Sequence, residues 1–383
     1  MRNSVKKLVV ATTLLTFSTG VFFSNTSSAK SVVIPQTAPL AGMPAVTNPL
    51  DIYAADKPNS FSPKVKGDPE MVYVPNHTAN TVSVIDPKTY KVIKTWKTPR
   101  GPQHVVPSWD LKTLWVNDNE GNYLTPINPK TVTIGKSIYV HDPYNLYFTP
   151  NGKYAIVMAE ADKQIVFRDP HTMAIKKVVP VKCNGINHAD WTADGNYFIA
   201  SCEFSSQLVL VNTAKMKVVA YAKIPTLYTH MPMPQDVKIS PDGKTFYIAD
   251  MASNGVWTVP ANKFGSFGFI KTGVEAHGLY VTRDSKYMVV SNRGEGSISL
   301  LRFSDNKVVK TIKIPGGGSP DMGGISADGK EFWVSGRYNG VVYVFNLVEG
   351  KLTHIIKVGK EPHGLAFFPQ PGRYSLGHTG VYR

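Results

Sequence analysis

Among the ten histidines of this 383-residue chain, His104 (PQHVV), His188 (INHAD), His277 (EAHGL) and His363 (EPHGL) each open a short apolar run. His141 and His230 precede two further runs, and His77 lies in the polar turn NHTAN. Neutral imidazole is the commonest protein ligand for transition metals, so histidines recurring at one kind of place point to a metal or haem site. His230 stands in YTHMPMPQD, where Met231 and Met233 add thioether sulfurs that suit copper. Arg293 (SNRGEG) and Arg337 (SGRYNG) occupy matching positions, and two guanidinium groups side by side can hold a carboxylate, a phosphate or haem propionates. The absence of C-x-x-C-H excludes covalent c-type haem. No G-x-S-x-G elbow, Walker loop or H-E-x-x-H supports hydrolase or nucleotide chemistry.

What positions these residues is a repeat. Seven segments share a turn, an apolar strand and a polar corner: PQHVVPSWDLK, PYNLYFTPNGK, INHADWTADGN, PQDVKISPDGK, AHGLYVTRDSK, DMGGISADGK and PHGLAFFPQPG. With His104, Asn145, His188, Asp236, Gly278, Met322 and Gly364 as equivalents, the steps are 41, 43, 48, 42, 44 and 42 residues. Three more strands follow each of the first six. Four short strands every 40 to 45 residues with Asp-Gly or Asn-Gly corners describe propeller blades. The seventh segment stops after one strand, while residues 71–98 supply three strands with none before them. Joining the two ends gives an all-β, seven-bladed propeller of four-stranded blades, its ring closed by N-terminal strands plus a C-terminal inner strand. Such closure ties down the termini and leaves no open sheet edge.

In this topology the loop before each inner strand opens on the same face as the loop between second and third strands. The seven histidines above all map to that face. His77, His188 and His230 are the expected metal ligands, and His104, His277, His363, Arg293 and Arg337 complete a cofactor-binding set. The long 48-residue step makes the His230 loop an insertion at the mouth. The same histidines also suit a structural role, as turn residues bonded to a neighbouring blade, and the methionines suit packing. Glu160, Asp236 and Asp250 make a calcium site of the lactonase kind conceivable, without a spacing that points to it.

The stretch VYVPNHTANTVSVIDPKTYKVIKTW resembles the YVTN repeat, and PHGLAFFP resembles the PHG corner of the same family. The resemblance covers residues 71–368 and implies kinship with YncE-like secreted propellers and with the haem d1 propeller of cytochrome cd1 nitrite reductase. It implies a metal ion such as copper or iron, or a haem-like tetrapyrrole, in a respiratory or metal-handling role. The chain departs from the nitrite reductases in having seven blades, not eight, and no cytochrome c domain. An interaction scaffold binding cell-wall polymer or an exported protein is the alternative, and a calcium-dependent lactonase a second.

The leader MRNSVKK–LVVATTLLTFSTGVFF–SNTSSAK has the basic, apolar and small-residue parts of a secretory signal, with cleavage after Ala29. The reading is therefore a signal peptide over 1–29, a Pro/Ala-rich extension over 30–70 that is either a spacer or a strap, the propeller over 71–368 and a C-terminal tail over 369–383. A soluble, secreted or periplasmic monomer is expected, with no later membrane span. Outside the cytosol the lone pair Cys183 and Cys202 reads as a disulfide, the alternative being a Cys/His copper site with His188. The formal charge of +15 favours an anionic cell-wall or membrane surface over nucleic acid, because the lysines are scattered through turns.

Overall fold

The computed structural model describes residues 31–378 and 381–383; the expected signal peptide lies outside them. Seven antiparallel sheets form the blades of a propeller. Their inner strands are Ala366–Phe368 (blade 1), Pro102–Pro107 (blade 2), Asn145–Phe148 (blade 3), Ile186–Trp191 (blade 4), Pro234–Ile239 (blade 5), Ala276–Val281 (blade 6) and Pro320–Ile325 (blade 7). Blade 1 is built from both ends of the chain, with Met71 opposite Phe368 and Tyr73 opposite Ala366. Among the described residues no helix is long and apolar enough to cross a membrane.

The strand sequences explain the burial. Second and third strands such as Glu331–Gly336 and Val341–Asn346 carry apolar residues in succession, because each blade is covered on both faces by its neighbours. Outer strands are exposed and lysine-rich, as in Lys91–Lys97, Lys307–Lys313 and Lys351–Lys357. Lysine on an edge strand discourages pairing with another sheet, so much of the positive charge has a structural cause. Corners between first and second strands repeat one device. In blade 5, Ser240 Oγ donates to Asp242 Oδ1 and Gly243 takes φ +68°, a left-handed conformation that glycine adopts without strain.

Two segments outside the repeat close one face of the disc. Residues 31–70 form a strap across the corners: Val32–Val33 pairs with Lys263–Phe264, the Leu40 amide donates to the Asp194 carbonyl, and Ile52 and Asn59 donate to the carbonyls of Pro241 and Ala327. The tail returns to the axis. Ser375–Gly377 pairs with the inner strand of blade 3 through Tyr147, and Val381–Tyr382 pairs back on it, giving that blade six strands where four were expected. Gly377, at φ +91°, permits this approach, since a Cβ there would stand 2.5 Å from the Leu146 carbonyl oxygen. Arg383, the last residue, pairs with Asp190 at 2.9 Å and lies over the Tyr53 ring of the strap. The tail therefore enters the channel as a hairpin from the strapped face, with His378 at the end of its first strand.

Candidate metal centre in the axial channel

In blades 2, 4, 5, 6 and 7 the inner strand carries one extra residue near its start. Pro102 faces Asp118 and Val105 faces Val116, and the same slip occurs at Ile186/Ala189, Pro234/Val237, Ala276/Leu279 and Pro320/Gly323. A bulge of this kind re-aims side chains. The bulged positions carry Gln103-His104, Asn187-His188, Gln235-Asp236, His277-Gly278 and Asp321-Met322, all buried. Side chains from these positions meet at the axis.

Five imidazoles form a closed circuit there. Ring centroids are 4.8 Å apart for His104–His363, 5.9 Å for His363–His277, 6.4 Å for His277–His188, 4.7 Å for His188–His378 and 5.2 Å for His378–His104. Gly364 makes room for one of them, because a Cβ on it would meet the His104 ring at 2.1 Å. Burial is the main force holding all five below the usual imidazole range, with His277 lowered to about 4. Neutral imidazoles keep a lone pair for a metal.

Two groups each present three ligand atoms within 4.8 Å of one another: His277, Asp321 and His363, and His188, Asp236 and His378. In the first, His363 Nδ1 lies 3.2 Å from the Gln103 carbonyl oxygen, so that nitrogen carries the proton and Nε2 keeps its lone pair. Nε2 faces Asp321 Oδ2 at 3.3 Å. Asp321 Oδ2 is buried without a well-formed hydrogen bond, its nearest cation being Arg337 Nη1 at 3.5 Å. Burial alone raises an aspartate, but His277, Arg293 and Arg337 outweigh it and hold Asp321 below the usual carboxylate range. The first group thus sets an imidazole lone pair against a carboxylate anion with no proton between them. His277 Nδ1 completes it, 3.1 Å from Asp321 Oδ1. Arg293 and Arg337 each approach Asp321 at 3.5 Å, with side chains only 11% and 17% exposed.

Of the eight residues expected at the site, the structure brings His104, His188, His277 and His363 to the axis and places Arg293 and Arg337 just above them, around Asp321. His77 stays on the rim, 3.5 Å from Glu120 and 3.7 Å from Glu361. His230 is exposed in the loop between blades 4 and 5 and joins neither metal-capable group. Cys183 and Cys202 are disulfide-bonded, pinning the loop that leads into the His188 strand. Of the carboxylates weighed for calcium, Asp250 accepts from the Met233 and Ser253 amides and the Trp257 indole, and Glu160 sits at the mouth, pushed up to about 8 by burial and Glu203. Sequence reasoning missed Asp321, which holds the register position of His277 and His363 one place before the residues used to align the repeat. It also missed His378, whose tail belongs to no repeat and carries no periodic signal.

The chain matches the YncE-like beta-propeller family over residues 30–371. No curated protein matches it. Among solved structures, hydrazine synthase of Kuenenia stuttgartiensis superposes with a TM-score of 0.58 at 17% identity, over 69% of this chain and 88% of that one. Dihydro-heme d1 dehydrogenase NirN gives 0.59 at 12% identity, over 86% and 79%. A putative 6-phosphogluconolactonase of Bacteroides uniformis gives 0.61 at 17%, over 77% and 98%. At such identities the likeness is one of fold. With seven blades, the corner repeat and the family match over nearly its whole described length, the chain belongs to the YncE-like β-propellers.

Proposed function

We propose that this is an exported metal-binding propeller, whose axial channel takes up a first-row transition-metal ion through His277, Asp321 and His363. The reading rests on one observation, the 3.3 Å approach of two buried acceptors, His363 Nε2 and Asp321 Oδ2. Two such groups repel unless a cation lies between them. Two imidazoles and one carboxylate suit copper, zinc, nickel, cobalt or iron, whereas calcium requires a shell of oxygens. The crowding of the five rings favours an ion over a tetrapyrrole, which would have to displace them. Export is supported by the leader sequence, which has the parts of a secretory signal.

Charge balance adds a condition. Asp321 and Glu275 contribute two negative charges and Arg293 and Arg337 two positive charges, so the site without a metal is neutral and a dication leaves it with an excess of positive charge. A dication at this place therefore arrives with a small anionic co-ligand such as oxalate or bicarbonate, seated against the guanidinium groups.

The test is a titration of the purified, chelator-stripped protein with Cu(II), Zn(II) and Co(II), with and without oxalate. The expected result is stoichiometric uptake, strengthened by oxalate and weakened about a hundredfold or more in the His277→Ala/His363→Ala double variant. Uptake that is absent, or unchanged in the double variant, contradicts the reading.

A further inference from the structure

We propose that the channel mouth binds a small amino-carboxylate zwitterion, its carboxylate on Arg293 and Arg337 and its ammonium group on Glu160 and Glu203. The inference rests on the reading of the guanidinium pair as an anion seat, and adds what lies across the channel from it. The residue after each second strand stands at the mouth. In blades 3 and 4 that residue is Glu160 and Glu203, and in blades 6 and 7 it is Arg293 and Arg337. Two adjacent acids therefore face two adjacent guanidinium groups across a ring of seven blades.

The level beneath is divided in the same way. The first bulged position carries His277 and Asp321 in blades 6 and 7, but the amides Gln103, Asn187 and Gln235 in blades 2, 4 and 5. Asn187 Oδ1 accepts from Ser201 Oγ and from the His188 amide, so Nδ2 is left to donate to Glu203 Oε2, at 2.8 Å. Glu160 Oε1 has no partner, and neither has Oε1 of Gln103, a residue only 4% exposed. Gln103 Nε2 lies 3.4 Å from the Tyr144 hydroxyl, and that phenol feels Glu160, Glu203 and Arg337 together. The unpartnered Gln103 oxygen thus borders the space that the acids and the arginines enclose.

What this side lacks is a donor. Burial, Glu203 and Asp142 push Glu160 up to about 8, so near neutral pH it retains a proton. An ammonium group brings three N–H donors and a positive charge, enough to serve both carboxylates and Gln103 and to displace that proton. Calcium fits less well, because Asn187 turns an N–H toward Glu203 where a calcium shell needs oxygen. Opposite, the planar guanidinium groups match a carboxylate.

Aspartate and succinate differ only in the ammonium group, so calorimetric titration with each separates the two halves of the site. The titrations are run at pH 7 on the chelator-stripped protein and again with zinc added. Aspartate is expected to bind about tenfold more tightly than succinate or better, as hydrogen bonds to a charged group imply. Its binding should release a proton, read as a heat that varies with the ionisation enthalpy of the buffer. Glu203→Gln should remove the preference and keep succinate binding, which also reports an intact ring. Arg337→Gln should weaken both ligands. Equal affinity for the two, no proton released with aspartate, or a preference untouched by Glu203→Gln overturns the inference and leaves the anion seat standing. Binding of neither overturns the seat as well. A preference for aspartate in a protein that takes up no zinc upholds this inference and refutes the metal reading.

Discussion

The two ends of the channel are built on opposite terms. At the strapped end, several buried charges and hydroxyls are matched, Arg383 with Asp190, Tyr53 OH with the Ile239 carbonyl, Ser285 with Asp51, and Lys57 with Asp51, while Asp56 Oδ1 and Lys238 Nζ are not. At the mouth, Arg293 donates to Glu275 at 3.3 Å, but Arg293 and Arg337 stand 3.5 Å from Asp321, and His363 Nε2 faces the same carboxylate with no donor between them. Matched groups confer stability, and unmatched groups at a concave mouth are available to a ligand. One end is therefore a stopper and the other a receptor, although both draw on the same inner strands.

That contrast can be broken most forcefully at Arg383. Arg383→Ala leaves the buried Asp190 without its guanidinium partner, held only by the Trp191 and Ile239 amides and nearby Lys238, and should cost about 3 kcal/mol in denaturant unfolding, with metal uptake at the mouth retained. A variant with wild-type stability would mean the stopper is not held this way.

The strap supplies a smaller, pH-dependent effect. Burial pushes the Asp56 carboxyl from 3.8 up to about 7, against the pull of Arg283 and Arg383. Between about pH 4 and pH 7 the folded chain keeps a proton that the unfolded chain has released, so stability falls as pH rises through that window and levels off above it. The slope is at most about 1.4 kcal/mol per pH unit. Asp56→Asn should flatten it, as measured by urea unfolding at pH 5 and pH 8. An unaltered slope assigns the effect elsewhere.

The mouth provides the smallest stability effect and the clearest functional one. Arg337→Gln, which removes a mostly buried guanidinium 3.5 Å from Asp321 but leaves Arg293 beside the same carboxylate, should cost less than the loss expected at Arg383. It should nevertheless abolish the gain in metal affinity that oxalate brings. A large stability loss would make the mouth structural and erase the distinction between the ends.

The repeat was legible because blades impose it: the 41- to 48-residue steps, the Asp-Gly corners and the lysine-rich outer strands are local consequences of one supersecondary unit. The sheet made from both chain ends followed from counting strands. The convergence of His104, His188, His277 and His363 was readable from the same register. The rest was not, for physical reasons. His230 lies in a longer loop that the register does not constrain, and its side chain is exposed. Asp321 was hidden because the pattern was carried by histidines: blade 7 has an aspartate where blades 6 and 1 have His277 and His363, so no imidazole marks the place. His378 reaches the ring through a tail whose position depends on Gly377 fitting against blade 3 and on Tyr374, Leu376 and Tyr382 being buried, none of which a repeat can announce.

The most direct measurement is anomalous diffraction from crystals soaked in zinc, with data on either side of the zinc absorption edge. The account expects a peak on the axis among His277, Asp321 and His363. Crystals with no axial peak, or with zinc only at surface residues such as His230, would contradict it.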